Sequence, residues 1–297
     1  MKKDIVTKNY FSQNKIFSKI FNYYLFDGKD VIKENDLIEL DTNQVISNPN
    51  LIKRERDILK EAIIKSDNNY DYLLLGIENQ SKINNGMILR NLLYDSISYS
   101  NQALDIVNTK NNAKIKLDRY SGLSKNDKLK PVITLVIYFS YKKWTGAKDL
   151  HSMLYINDKE LLKYIPNYKL NIIEPYNMTE EDFIKLGSLS TLFRFIKASG
   201  NKDELNDLIT KNESFKKTDV KMMELLNNIL DLNIEIKNTE DINMCKAIED
   251  MKKDAKKEGK QEAINENIKT MYSNGADINM IAKLLNLDIN FVKKVLA

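Results

Sequence analysis

"RERDILKEAIIK" (residues 54–65) and "YLLLGIENQSK" (residues 72–82) decide the fold between them. Both carry aliphatic runs, and the polar segment "SDNNYD" between them supplies the Asp and Asn residues that favour tight turns, so the pair reads as a β-hairpin. Two registers suit it. Pairing Asp57 with Glu78 makes the indices of paired residues sum to 135 and sets Lys65 opposite Tyr70 across the loop Ser66–Asn69. Pairing Asp57 with Gln80 raises that sum to 137 and lengthens the loop by two residues; both lengths are ordinary for hairpins. In either register Asp57, Glu78 and Gln80 project from one face, because side chains alternate along a strand and directly paired residues share a side. Gly76 lies on that face as well, and the sequence predicts room beside Glu78 for an ion or a phosphate.

Two carboxylates a few ångströms apart repel unless a proton or cation lies between them. Mg²⁺, or Mn²⁺ in its place, suits such a pair: it takes oxygen ligands and is commonly held by one or two carboxylates plus substrate phosphate. Bound there it would lower the pKa of a water and offset charge building on a phosphate. The plainer alternative is a strand end entering solvent, with Asp57 and Glu78 as surface charges.

Composition narrows the remaining chemistry. With one histidine (His151) and one cysteine (Cys245) in 297 residues, zinc fingers, histidine-rich metal sites and cysteine catalysis have little to work with. His151 sits in the amphipathic "KDLHSMLYI" and reads as structural. A hydrophobic content of 42% with 30% charged residues describes a globular chain, long enough for about two domains. Its longest apolar runs fall far short of a bilayer span, and "MKKDIVTKNYF" lacks a secretion signal's apolar core. A cytoplasmic location is expected. A net charge of +4 permits nucleic-acid binding without requiring it.

Around the hairpin the signals alternate. Ser12 is placed to cap a helix with apolar positions Ile16, Phe17, Ile20, Phe21, Tyr24 and Leu25, ended by the turn "FDGKD". "GMILRNLLYDSISYSNQALDIV" predicts a long helix, "PVITLVIYF" a strand buried on both faces, and "YKLNIIEPY" a shorter strand. Beyond about residue 178 the signals are helical. Lys252, Lys253, Lys256, Lys257 and Lys260 could track a DNA backbone, but Glu249, Asp250, Asp254, Glu258 and Glu262 alongside them make a solvated, ion-paired helix the expected reading. "INMIAKLLNLDINFVKKVL" has the outline of a helix-turn-helix. With only Asn290, Lys293 and Lys294 as polar readers, its expected role is packing or homo-oligomer formation ahead of base reading.

Taken together, "RERDILKEAIIK", "YLLLGIENQSK", "MILRNLLYDSISYS" and "KLKPVITLVIYFSYKKWTG" resemble the recombination-promoting nuclease (Rpn) family of the PD-(D/E)XK nuclease superfamily, whose members are often labelled transposases. The family pattern falls on Asp57, Glu78, Gln80, Ser81, Arg90, Tyr94, Pro131 and Trp144, and the resemblance is strongest over residues 50 to 145. It implies an α/β fold: a restriction-endonuclease-like mixed sheet flanked by helices, with a C-terminal helical extension. The expected organisation is a nuclease-like domain over 1–177, a helical region over 178–240, and a C-terminal helix with its helix-turn-helix-like tail over 241–297.

The same resemblance implies a metal-dependent DNA endonuclease tied to recombination or mobile elements. Asp57 and Glu78 would hold the cation, Gln80 would position water or a phosphate oxygen, and Arg90, Tyr94 and Lys82 would contact DNA. One departure matters: the wider superfamily has lysine where this chain has Gln80, and an amide brings hydrogen bonds but no positive charge. The missing charge would have to come from the metal or from a lysine such as Lys60 or Lys82. An equally sized packing role is open to the Arg90 and Tyr94 pair, which share a helical face at i, i+4; core or rim packing is expected of Trp144. Two rival readings stand beside the nuclease, a catalytically silent DNA-binding protein and a protein-interaction module.

Overall fold

The hairpin takes the first of the two registers. In a computed structural model describing residues 2–45, 53–66, 69–110, 122–156, 158–230, 232 and 241–296, Ile58 pairs with Ile77 and Lys65 with Tyr70. Pairing runs one step past that expectation, to Ser66 opposite Asn69; the tip of the expected loop, residues 67 and 68, lies outside the described residues.

Two helices come first, α1 (Lys2–Phe11) and α2 (Asn14–Phe26), followed by short strands β1 (Leu37–Glu39), β2 (Asn43–Val45) and β3 (Lys53–Glu55). The hairpin is β4 (Ile58–Ser66) and β5 (Asn69–Gln80). Next come α3 (Met87–Lys110), β6 (Val132–Tyr138) and β7 (Asn171–Ile173). The rest is mainly helical, apart from two short strands, Thr218–Asp219 and Asp241–Ile242, that pair with each other: α4 (Glu180–Leu186), α5 (Ser190–Ala198), α6 (Lys202–Lys211), α7 (Val220–Leu230), α8 (Met244–Ser273), α9 (Ile278–Leu285) and α10 (Ile289–Leu296). The main sheet runs β1-β4-β5-β6-β7. Its β1–β4 and β4–β5 pairs are antiparallel and its β5–β6 and β6–β7 pairs parallel, which makes the mixed sheet of a restriction-endonuclease-like α/β fold. A parallel partner needs a crossover, and α3 supplies it between β5 and β6.

Each face of the sheet has its own core. Leu75 and Ile77 of β5 and Leu135 and Ile137 of β6 join residues of α1, α2 and α4 to α7 in the larger cluster. Val136 and Tyr138 face the other way, with Met87 and Ile88 of α3, Trp144 and Leu170. β6 is central and buried on both faces, as its run of apolar residues, interrupted only by Thr134, predicts. The helical stretch expected from residue 178 holds α4 to α7, and these helices pack on the same core as the sheet. A third cluster, built on Ile268, Ile281, Ala282 and Val292, holds α9 and α10 against the end of α8, and Asn286 turns the chain between them in the left-handed region at φ 51°. On α8, Lys253, Lys256, Lys257 and Lys260 are exposed, while the side chains of Glu249, Asp250, Lys252, Asp254 and Glu258 lie outside the described residues.

One local expectation fails. Ser12 does not cap α2: the N-cap residue is Gln13, and the Ser12 hydroxyl donates back to the Asn9 carbonyl at 3.0 Å. The reason is that residues 2–11 already form a helix, so Ser12 sits at the exit of α1. The end of α2 does follow the sequence, with Asp27 and Gly28 both at positive φ.

Candidate active site

Parallel register places Glu78 opposite Val136 and Gly76 opposite Thr134, so both belong to the face covered by α3. Asp57 precedes β4 and meets Glu78 across the hairpin. Its backbone N–H points at Glu78 Oε1 (3.4 Å), and its own Oδ2 accepts from the backbone N–H of Asn79 (2.7 Å). The two carboxylates therefore converge at one end of the hairpin. Glu78 is fully buried (0% exposed) and Asp57 half-buried.

α3 supplies the positive charge. Arg90 Nη2 lies 3.0 Å from Glu78 Oε2, and Arg90 Nε donates to the Tyr94 hydroxyl at 3.0 Å. One turn of helix separates the two residues, so Tyr94 braces the guanidinium that meets Glu78. Tyr94 is 2% exposed and forms part of the wall. The Arg90 side chain is 36% exposed and faces both the carboxylates and solvent. Gln80 is half-buried and Lys82 exposed. Asp57, Glu78, Arg90 and Tyr94 are thus brought together, Gln80 stands on the same face two residues on, and Lys82 lies past the strand end.

Two sequence expectations are overturned here. The space beside Gly76 is not open to an ion. A Cβ there would fall 2.6 Å from Arg56 Nη1 and 3.3 Å from Thr134 Oγ1, so glycine accommodates an arginine. Lys60 cannot supply the charge that Gln80 lacks. It pairs with Leu75 and so stands on the opposite face, where its ammonium donates to the Ser12 carbonyl and Asn14 Oδ1, each at 2.6 Å. Burial holds its pKa below the usual lysine value.

Sequence reasoning missed the support behind the site. Arg56, fully buried, donates to Asp95 Oδ1 (2.8 Å). Asp95 also accepts from Thr134 Oγ1 (2.6 Å) and the Tyr168 hydroxyl (2.6 Å). Asp95 thereby ties together the start of the hairpin, α3, β6 and the loop before β7. A signal existed: Asn91, Asp95 and Ser98 break the apolar stripe of α3 at helical spacing, and all three are buried. Arg56 Nε and Nη1 and the side-chain amides of Asn79 and Asn91 are buried without a hydrogen-bond partner among the described residues. Such atoms are rare and costly in a folded interior.

The electrostatics follow from this geometry. Burial, and then the charge of Asp57, push Glu78 up to about 8, against the opposing pull of Arg90 and Arg56. Burial also raises Asp57, offset in part by its Asn79 hydrogen bond and by Arg90 and Lys8. Even with two arginines close by, the carboxylate pair remains short of positive charge. Its oxygen donors are of the kind that Mg²⁺ or Mn²⁺ takes. No group of three or more His, Cys, Asp or Glu side chains able to hold a metal occurs among the described residues, so any ion here would rest on the two carboxylates, solvent and substrate.

The other candidates have plain structural surroundings. Trp144 is buried edge-on to Tyr138 (ring centroids 5.1 Å apart), in the packing role expected of it. His151 Nε2 lies 2.7 Å from the Ile165 carbonyl. No helix among the described residues is long and apolar enough to cross a membrane.

A family model described as "Putative transposase, YhgA-like" matches residues 1–226. No curated protein and no solved structure matches the chain. Matched over 226 of its 297 residues, the chain belongs to this YhgA-like family, the Rpn and PD-(D/E)XK-like group that the order of Asp57, Glu78, Gln80, Arg90 and Tyr94 pointed to.

Proposed function

We propose that the protein is a divalent-metal-dependent DNA endonuclease that hydrolyses phosphodiester bonds in a transposase-like setting. One observation carries this reading: Asp57 and Glu78 converge at the end of the hairpin in an environment short of positive charge. Asp57 and Glu78 would hold Mg²⁺ or Mn²⁺, and the bound ion would supply a more acidic water and a counter-charge for the phosphate.

The chain's own residues do the rest. Burial of Glu78 keeps its carboxylate free of competing solvent, and the Asn79 N–H fixes one Asp57 oxygen. The Gln80 amide can donate to a phosphate oxygen or orient a water, but it adds no charge. With Lys60 turned to the other face, that charge falls to Arg90, whose half-exposed guanidinium can exchange Glu78 for a phosphate oxygen. Tyr94 keeps it in reach, and Lys82 extends the positive surface outward.

A second reading has its own support. Arg90 already gives Glu78 a fixed cation partner, as suits a protein that kept the fold to bind DNA without cutting it. Supercoiled plasmid incubated with Mg²⁺ or Mn²⁺ separates the two readings. The nuclease predicts nicking by the wild type and its loss in both Asp57→Ala and Glu78→Ala. DNA binding with no nicking under either cation supports the silent reading.

A further inference from the structure

The loops leaving β5 and β6 run off the sheet side by side. Gln80 is paired with Tyr138, and the Phe139 N–H donates to the Gln80 carbonyl at 2.8 Å. Residues 81–86 and 140–147 then pack on each other: a Cβ on Gly146 would meet Asn85 Oδ1 at 3.0 Å and Ile83 Cγ2 at 3.1 Å. Neither loop contains an acidic residue, and Lys82, Lys142 and Lys143 are all exposed. Glu174, which follows β7 at the same edge, is engaged by Lys148 and by the Trp144 N–H (2.9 Å). α3 starts from this edge with no acid in its first turn.

The second loop is anchored. Beneath it Trp144 is buried against Tyr138. At its start Tyr141 lies against Gly200, where an added Cβ would come within 2.3 Å of the ring. Lys142 is 5.6 Å from the centre of that ring. The lysines therefore stand on a supported edge, past the carboxyl ends of parallel strands, where open α/β sheets characteristically take their ligands. Glu78 is two residues inside the same edge.

We propose that residues 81–86 and 140–147 form a basic rim that seats the backbone of duplex DNA beside Asp57 and Glu78, with Lys82, Lys142 and Lys143 as its phosphate contacts. This deepens the nuclease reading and rests on its choice of DNA. Phosphate contacts of this kind act through counterion release, so each one removed lowers the slope of log K against log salt concentration by about 0.9.

The test measures binding of a short labelled duplex in EDTA, where no metal-dependent cutting occurs, over a salt series. The triple variant Lys82→Gln, Lys142→Gln, Lys143→Gln is expected to flatten the slope by about 2 to 3 and weaken binding at least tenfold at low salt. A control triple, Lys33→Gln, Lys163→Gln, Lys211→Gln, removes the same charge from lysines held in local ion pairs and should leave the slope within one unit of wild type. Near-ultraviolet spectra from Trp144 check that both variants fold. An unchanged slope in the rim variant, an equal fall in the control, or no duplex binding by the wild type overturns the rim. Plasmid nicking is scored separately. Wild-type nicking with an unaffected rim variant sinks the rim and leaves the nuclease standing; lost binding in a protein that never nicks does the reverse.

Discussion

Replacing Glu78 by glutamine should stabilise the protein in alkaline buffer and do little in acid. In the folded protein Glu78 titrates near 8, because burial and Asp57 both disfavour its charge; in the unfolded chain it titrates in the ordinary range for glutamate, near 4.3. Between these values the folded state binds one proton more than the unfolded state, so stability falls as pH rises. The slope approaches about 1.4 kcal/mol per pH unit, and between pH 5 and pH 8 the loss reaches about 3 kcal/mol. Asp57, also raised, acts with the same sign. Glu78→Gln removes the titration while keeping the side chain's shape. At pH 5 Glu78 is already neutral in the folded wild type, as glutamine is in the variant, so the two should unfold alike. At pH 8 the variant should be more stable by about 3 kcal/mol. Urea unfolding followed by the fluorescence of Trp144, the single tryptophan, reads this directly at four or five pH values. Mn²⁺ at pH 8 should narrow the gap by stabilising the wild type alone. A stability difference that stays flat within about 0.5 kcal/mol from pH 5 to 8 would mean that Glu78 is ionised throughout, and the reasoning from burial would fail.

Three further outcomes follow from the packing around particular residues. Gly76→Ala sets a methyl 2.6 Å from Arg56 Nη1; the buried guanidinium must move, and overpacking with a strained charged hydrogen bond should cost about 2–4 kcal/mol in urea titration. Gly259→Ala on α8, with nothing within 4 Å, should be neutral or stabilising by up to about 1 kcal/mol. Asp95→Ala strips Arg56 of its carboxylate and leaves Thr134 and Tyr168 without their acceptor. A loss of about 3–5 kcal/mol is expected for such a broken buried pair, and a loss under about 1 kcal/mol in thermal or urea unfolding would contradict the tie drawn between hairpin, α3 and β6.

What could be read from the sequence was what alternates. Period two on both strands puts Asp57, Glu78 and Gln80 on one face in either register, and the mostly apolar run at Val132–Tyr138, broken only by Thr134, reads as a strand buried on both faces. α3 was equally legible as a helix, yet its buried stripe carries Asn91 and Asp95, and a pattern that counts apolar residues passes over them. Arg56 was invisible for another reason. It lies outside the regular strand, so alternation does not fix its direction, and only the close approach to Gly76 shows where it goes. α1 is not legible in the sequence because Ile5, Val6, Tyr10 and Phe11 form no single stripe at helical spacing. Alternation from Asp57 by itself sets Lys60 on the opposite face, away from Gln80.

Relaxation of supercoiled plasmid tests the central claim most directly, with wild type, Asp57→Ala and Glu78→Ala compared in Mg²⁺, Mn²⁺ and EDTA. The account predicts nicks from the wild type only, and only with the cation present. Nicks that persist in EDTA, or that both alanine variants produce at the wild-type rate, would contradict it.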